Sequence, residues 1–155
     1  MAYPQDFMQY NKGLKKIYTT RGYYFNGIQD TAFKLSRLKS DWNTYFTQLQ
    51  TLYINDDHWN REDLSALHQL TSFWLVAASQ NHTDDPNSPL APIPSSVLDS
   101  VLNQISRGAG QTVSNGVISL SAGGSLRTSA SDAAVQLLLS KGWTIYINGV
   151  ALTNP

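Results

Sequence analysis

At 155 residues the chain has the size of one domain, with enough residues to bury a core without disulfides or a structural metal. Eleven basic and eleven acidic residues give zero formal net charge, and only 14% of residues are charged; this excludes a basic surface for nucleic acid and a polybasic patch for anionic membranes. Cysteine does not occur, so disulfides and thiol nucleophiles are excluded and the redox compartment stays open.

Residues 1–13 carry Tyr3, Phe7, Met8 and Tyr10 ahead of Gly13 and read as an N-terminal arm or cap. They lack the basic start and apolar run of a signal peptide, and no apolar stretch reaches the length of a membrane span. Leu14 to Tyr18 is the first strand-like phrase, followed by a loop to Gly27. Asp30 is placed to cap a helix in which Phe33, Leu35, Leu38, Trp42, Tyr45 and Phe46 recur near helical spacing. The phrase Leu49-Gln-Thr-Leu52-Tyr-Ile54 follows, then a short helix expected over 61–69, capped by Asp57 or Asn60, with Leu64 and Leu67 inward.

The same phrase returns as Leu70-Thr-Ser-Phe73-Trp-Leu75. A segment holding four of the six prolines then reads as an excursion. Ser95 or Ser96 is positioned to cap a helix with Val97, Leu98, Val101, Leu102 and Ile105 on one face, ending at Gly108. Asn115-Gly116 turns the chain into Val117–Leu120, and Gly123-Gly124 breaks that strand. Ser129 or Ser131 caps a further helix bearing Ala133, Ala134, Leu137 and Leu138, which stops at Lys141-Gly142. Trp143 to Ile147 is the last strand and Asn148-Gly149 the last turn.

In each strand phrase the side chains alternate, one face apolar and the other mixed. Strands alternating with helices imply parallel pairing through right-handed crossovers. A doubly wound sheet buries both faces and has apolar strands throughout. Here one face is polar or aromatic, which predicts an α/β fold as a short irregular solenoid, a single domain over 14–155, with a parallel sheet on one side and helices on the other. The spacing between the phrases varies widely, which a solenoid absorbs in loops on its outer side.

The phrases at Leu49–Ile54 and Leu70–Leu75 resemble the LxxLxL strands of leucine-rich-repeat domains. The stretch from Ile93 through Ser95-Ser96-Val97-Leu98-Asp99 to Asn115-Gly116-Val-Ile-Ser-Leu120, Gly123-Gly124, Ser129-Ala130-Ser-Asp-Ala133-Ala134 and Leu138-Leu-Ser-Lys141-Gly142-Trp143 is similar to the closing repeats of leucine-rich-repeat-like proteins of bacteria and bacteriophages, often virion-associated or surface proteins. Where the usual repeat places asparagine, this chain has Asp57, Ala78 and Gly123, which fits a short, irregular array. The resemblance implies a non-enzymatic recognition or assembly domain, a virion structural or decoration component located on the virion or an extracellular surface. Its implied partners are other protein chains, a further copy of itself included; a glycan- or receptor-binding adhesion module is the alternative.

Pairing of the phrases in chain order lines up Tyr18, Tyr53, Trp74, Ser119 and Tyr146 across the solvent-facing side of the sheet, a surface suited to a protein partner or a sugar ring. The bland reading is that these rings stabilise strand pairing. Asp56, Asp57 and His58 after one strand and His82, Asp84 and Asp85 after the next form a weaker cluster for a divalent ion, although their spacing matches no metal motif. No GxSxG, GxxxxGK[ST] or GxGxxG pattern occurs, and nothing sets a separation between Asp30, Asp41, Glu62 and Asp63 for paired-carboxylate chemistry. The sequence therefore predicts no catalytic residues, no cofactor, no nucleic-acid partner and no membrane insertion.

Overall fold

The computed structural model describes residues 13–18, 24–25, 28–29, 46–56, 59, 61, 63–80 and 87–154. Of the arm predicted over 1–13 all but Gly13, and of the helix predicted from Asp30 to Phe46 all but the buried Phe46, lie outside these residues.

The alternating phrases form strands β1 (Lys16–Tyr18), β4 (Thr51–Asn55), β5 (Ser72–Val76), β6 (Val117–Ser121) and β7 (Thr144–Ile147). They pair in parallel and in chain order. A sixth strand, β8 (Val150–Ala151), adds antiparallel to β7 and completes an open sheet of order β1-β4-β5-β6-β7-β8. A separate two-stranded pair, β2 (Tyr24–Phe25) and β3 (Ile28–Gln29), interrupts the stretch expected to be loop. The fold is thus α/β with a mostly parallel, unclosed sheet.

Every second strand residue is buried as the pattern predicts. Ile17, Leu52, Ile54, Phe73, Leu75, Ile118, Leu120, Ile145 and Ile147 all join one core. Among the described residues, two helices pack on that face, beside Phe46, Leu49, Trp59, Leu64 and Leu67. Helix α1 (Ser95–Arg107) sends Leu98, Val101, Leu102 and Ile105 inward, and α2 (Asp132–Ser140) sends Ala134, Val135 and Leu138. Pro94, not a serine, occupies the position before α1, and no side chain caps it; the fixed proline φ suits a helix start. A single helical turn over Ala109–Thr112, not anticipated from the sequence, follows Gly108.

The segment 63–70 is a chain of turns instead of the expected helix. Leu64 and Leu67 are inward and fully buried as predicted, but the backbone finds other partners. The Leu64 amide donates to the Gln104 side chain at 2.9 Å, the Ser65 amide donates to Asp63 at 2.9 Å, and the Leu67 amide donates to the Leu64 carbonyl at 3.1 Å. Asp and Ser offer such local bonds in competition with a helix. Close approach does the rest: a Cβ on Gly108, at the end of α1, would lie 2.4 Å from the Ser65 carbonyl oxygen, too near for a helix with side chains between.

Ser131 precedes α2 but does not cap it. Its hydroxyl donates to buried Asp99 at 2.7 Å, and the Thr128 hydroxyl and amide donate to the same carboxylate at 2.7 and 2.9 Å. Arg127 pairs with Asp132 beside them. Burial pushes the Asp99 carboxyl up, but the bonds from Ser131 and Thr128 and the charge of Arg127 together outweigh it and hold it below its ordinary value. One carboxylate on α1 thereby fixes the loop that feeds α2.

Two substitutions test this packing. Trp143 lies over Gly116, where an added Cβ would meet the indole ring at 2.5 Å, and the indole donates to the Val113 carbonyl at 2.9 Å. Gly116→Ala should therefore lower unfolding free energy by about 2 kcal/mol in urea denaturation, the scale of an overpacked core. Asp99→Asn should destabilise at neutral pH. Because the folded carboxyl titrates below its ordinary 3.8, the contribution is present above that value and lost as pH falls through the depressed one, so the gap between wild type and variant should close in acid.

Candidate functional site: the open sheet face

Residues paired across parallel strands share a face. The register joins Tyr18 to Tyr53, Tyr53 to Trp74, Trp74 to Ser119 and Ser119 to Tyr146. All five residues predicted for partner contact therefore stand in a single row on the side away from the helices. Through β8 the row gains a sixth member, since Tyr146 pairs with Ala151.

The first three rings form a ladder. Tyr18 and Tyr53 have centroids 6.2 Å apart and planes 29° apart, and Tyr53 and Trp74 are 6.3 Å and 22° apart. Such offset stacking is the favourable arrangement for neighbouring aromatics. Rings that turn their faces to one another stand upright on the sheet and offer their edges outward, so the ladder is a ridge. Tyr18 is 61% exposed and Trp74 38%. The Trp74 indole N–H donates to the Ser72 hydroxyl at 2.8 Å, which fixes the ring. Ser72, two residues earlier on the same face, is a positioning residue that a search for chemical motifs passes over, although the period of two identifies its face.

Ser119 leaves a gap in the row between Trp74 and Tyr146. On either side of the row the face carries Lys16, Thr51, Ser72, Val117 and Thr144, then Asn55, Val76 and Ser121. Lys16 is the one charged residue among these described positions. The face is thus nearly neutral, hydroxyl-rich and aromatic.

At the carboxyl edge of the sheet, Asp56 accepts from Arg61, whose Nη2 lies 3.2 Å from each carboxylate oxygen, and the guanidinium sits 5.7 Å from the Trp59 ring centroid. Asp56 thus neutralises a cation of its own chain. The other residues of the predicted ion cluster, Asp57, His58, His82, Asp84 and Asp85, lie outside the described residues; among those described, no three His, Cys, Asp or Glu side chains group to hold a metal. The Asn148 side chain satisfies backbone groups of the loop after β6. Its Oδ1 accepts from the Ala122 amide at 2.8 Å and its Nδ2 donates to the Ser125 carbonyl at 2.8 Å.

No family model matches the chain, and no match was found among curated proteins or solved structures. Among the described residues, no helix is long and apolar enough to cross a membrane.

The ladder makes a stability prediction. Tyr53 stacks on both neighbours, Trp74 on one of the described rings, at about 0.5–1.5 kcal/mol per aromatic pair. Tyr53→Ala should cost about 1–3 kcal/mol and Trp74→Ala less, and a double-mutant cycle between them by chemical denaturation should give a coupling energy near one pair.

Proposed function

We propose that this chain is a short, irregular leucine-rich-repeat-like solenoid that acts as a non-enzymatic recognition and assembly domain. Its open sheet face holds a neighbouring protein chain. The setting that fits the resemblance of its C-terminal half is a bacteriophage or bacterial particle, with the domain as a structural or decoration component. The observation that carries the reading is the aromatic ridge. Tyr18, Tyr53 and Trp74 are ordered against each other and against Ser72, yet Tyr18 and Trp74 keep much of their surface in solvent. Rigid, half-exposed aromatics lose little conformational entropy on contact and are the side chains that most often anchor protein interfaces.

The hydroxyls around the row favour a second reading, a glycan-binding adhesion module, because an uncharged sugar needs ring surfaces flanked by neutral hydrogen-bonding groups.

Site-specific photo-crosslinking in the producing cell separates the readings. A benzoylphenylalanine at Tyr18 should give protein adducts that one at exposed Leu126, away from the row, does not. No protein adduct at Tyr18, together with tryptophan fluorescence of the purified chain quenched by neutral oligosaccharides and insensitive to them in Trp74→Ala, would replace the protein partner by a glycan.

A further inference from the structure

We propose that the partner which fits this face is a second copy of the same chain, related by a two-fold axis that runs along the strands between β5 and β6. The inference rests on the protein-contact reading above and names its occupant. It comes from the order of large and small residues along the row, which reads Tyr18, Tyr53, Trp74, Ser119, Tyr146, Ala151.

A two-fold axis along the strands lays the row of one copy over the reversed row of the other. With the axis between Trp74 and Ser119, each Trp74 faces the other copy's Ser119, each Tyr18 faces Ala151, and each Tyr53 faces Tyr146. Large opposes small in four of the six facing positions, and the remaining two bring tyrosine onto tyrosine. Isologous contacts of this kind require a surface to be complementary to its own reverse, and side chains of sheets packed about 10 Å apart interdigitate in this way. The exposed members of the row support it, since Tyr18 is 61% exposed and Ala151 lies on the outermost strand.

Charge permits the contact. The chain has zero formal net charge, so two copies do not repel at long range. On the face itself, among the described strand positions, the charged residue is Lys16, which sits at the rim on β1, the place where a charge escapes desolvation. Size sets the strength. Six strands about 4.8 Å apart, of two to five residues with a rise near 3.3 Å per residue, give a footprint of roughly 380 Å² per copy, below the roughly 800 Å² per partner of a stable complex. The dimer is therefore reversible and appears with concentration.

Sedimentation velocity over the micromolar to millimolar range tests it, with circular dichroism to verify folding of each variant. The wild type should pass from monomer to dimer. Trp74→Ser, which removes the ridge's end, and Ser119→Trp, which fills the gap, should each weaken the dimer at least about thirtyfold, the scale of an interface anchor. The double variant Trp74→Ser with Ser119→Trp exchanges large and small on both copies and should restore most of the affinity. A chain that stays monomeric throughout, a dimer indifferent to the single substitutions, or a double variant no better than the singles would each overturn the proposed geometry. Exposed Tyr18→Cys with Ala151→Cys gives a second measurement that leaves the core untouched. These positions lie at opposite edges of one sheet, so a short bismaleimide should yield covalent dimers, and monomer alone would count against it. Failure here with protein adducts still formed at Tyr18 in cells would leave the protein-contact reading standing with a different partner.

Discussion

Burial of every second residue along five parallel strands is the constraint on which this molecule depends. Nine side chains, from Ile17 to Ile147, enter one core beneath two helices, each contributing roughly 2 kcal/mol by leaving water. A shift of one residue in any strand would bring its apolar set to the open face, so the core fixes the register. The register in turn sets Tyr18, Tyr53, Trp74, Ser119 and Tyr146 in one row. The outer row is thus a consequence of the inner one, and its chemistry could vary without disturbing the fold.

Local devices hold the C-terminal half to this plan. Asp99 ties α1 to the loop before α2, Trp143 closes over Gly116, and Asn148 occupies the loop after β6. Asn148 and Gly149 both adopt positive φ, 50° and 81°, as a two-residue hairpin between right-twisted strands requires. That turn reverses the chain and adds β8, which covers the side of β7 with a short antiparallel strand. An edge of two residues offers little template for further pairing.

What the sequence made legible was what period and phase encode. The core positions of the strands, the parallel pairing, the helix ending at Gly108 and the row on the open face all follow from alternation at two and recurrence near 3.6. On the last helix, by contrast, Ala133, expected inward, is exposed and Val135 is buried in its place. The misses lie where partners distant in sequence decide. The turns over 63–70 depend on Gln104 and on the close passage of Gly108. Ser131 has the look of a helix cap until Asp99, on another helix, takes its hydroxyl. Asn148-Gly149 was legible as a turn, but two residues, Val150 and Ala151, are too short a run to show as a strand. The period of two puts Ser72 on one face with Trp74, but nothing in the sequence marks its hydrogen bond to the indole.

The account stands on the outward row, and proton contacts between its rings report on it most directly. In nuclear Overhauser spectra of the chain, the ring protons of Tyr53 should show cross-peaks to those of both Tyr18 and Trp74, while the Trp74 ring shows none to the methyls of Leu52 or Ile118 in the core. Cross-peaks from the Trp74 ring to those buried methyls would place it on the inner face and contradict the register from which the aromatic row follows.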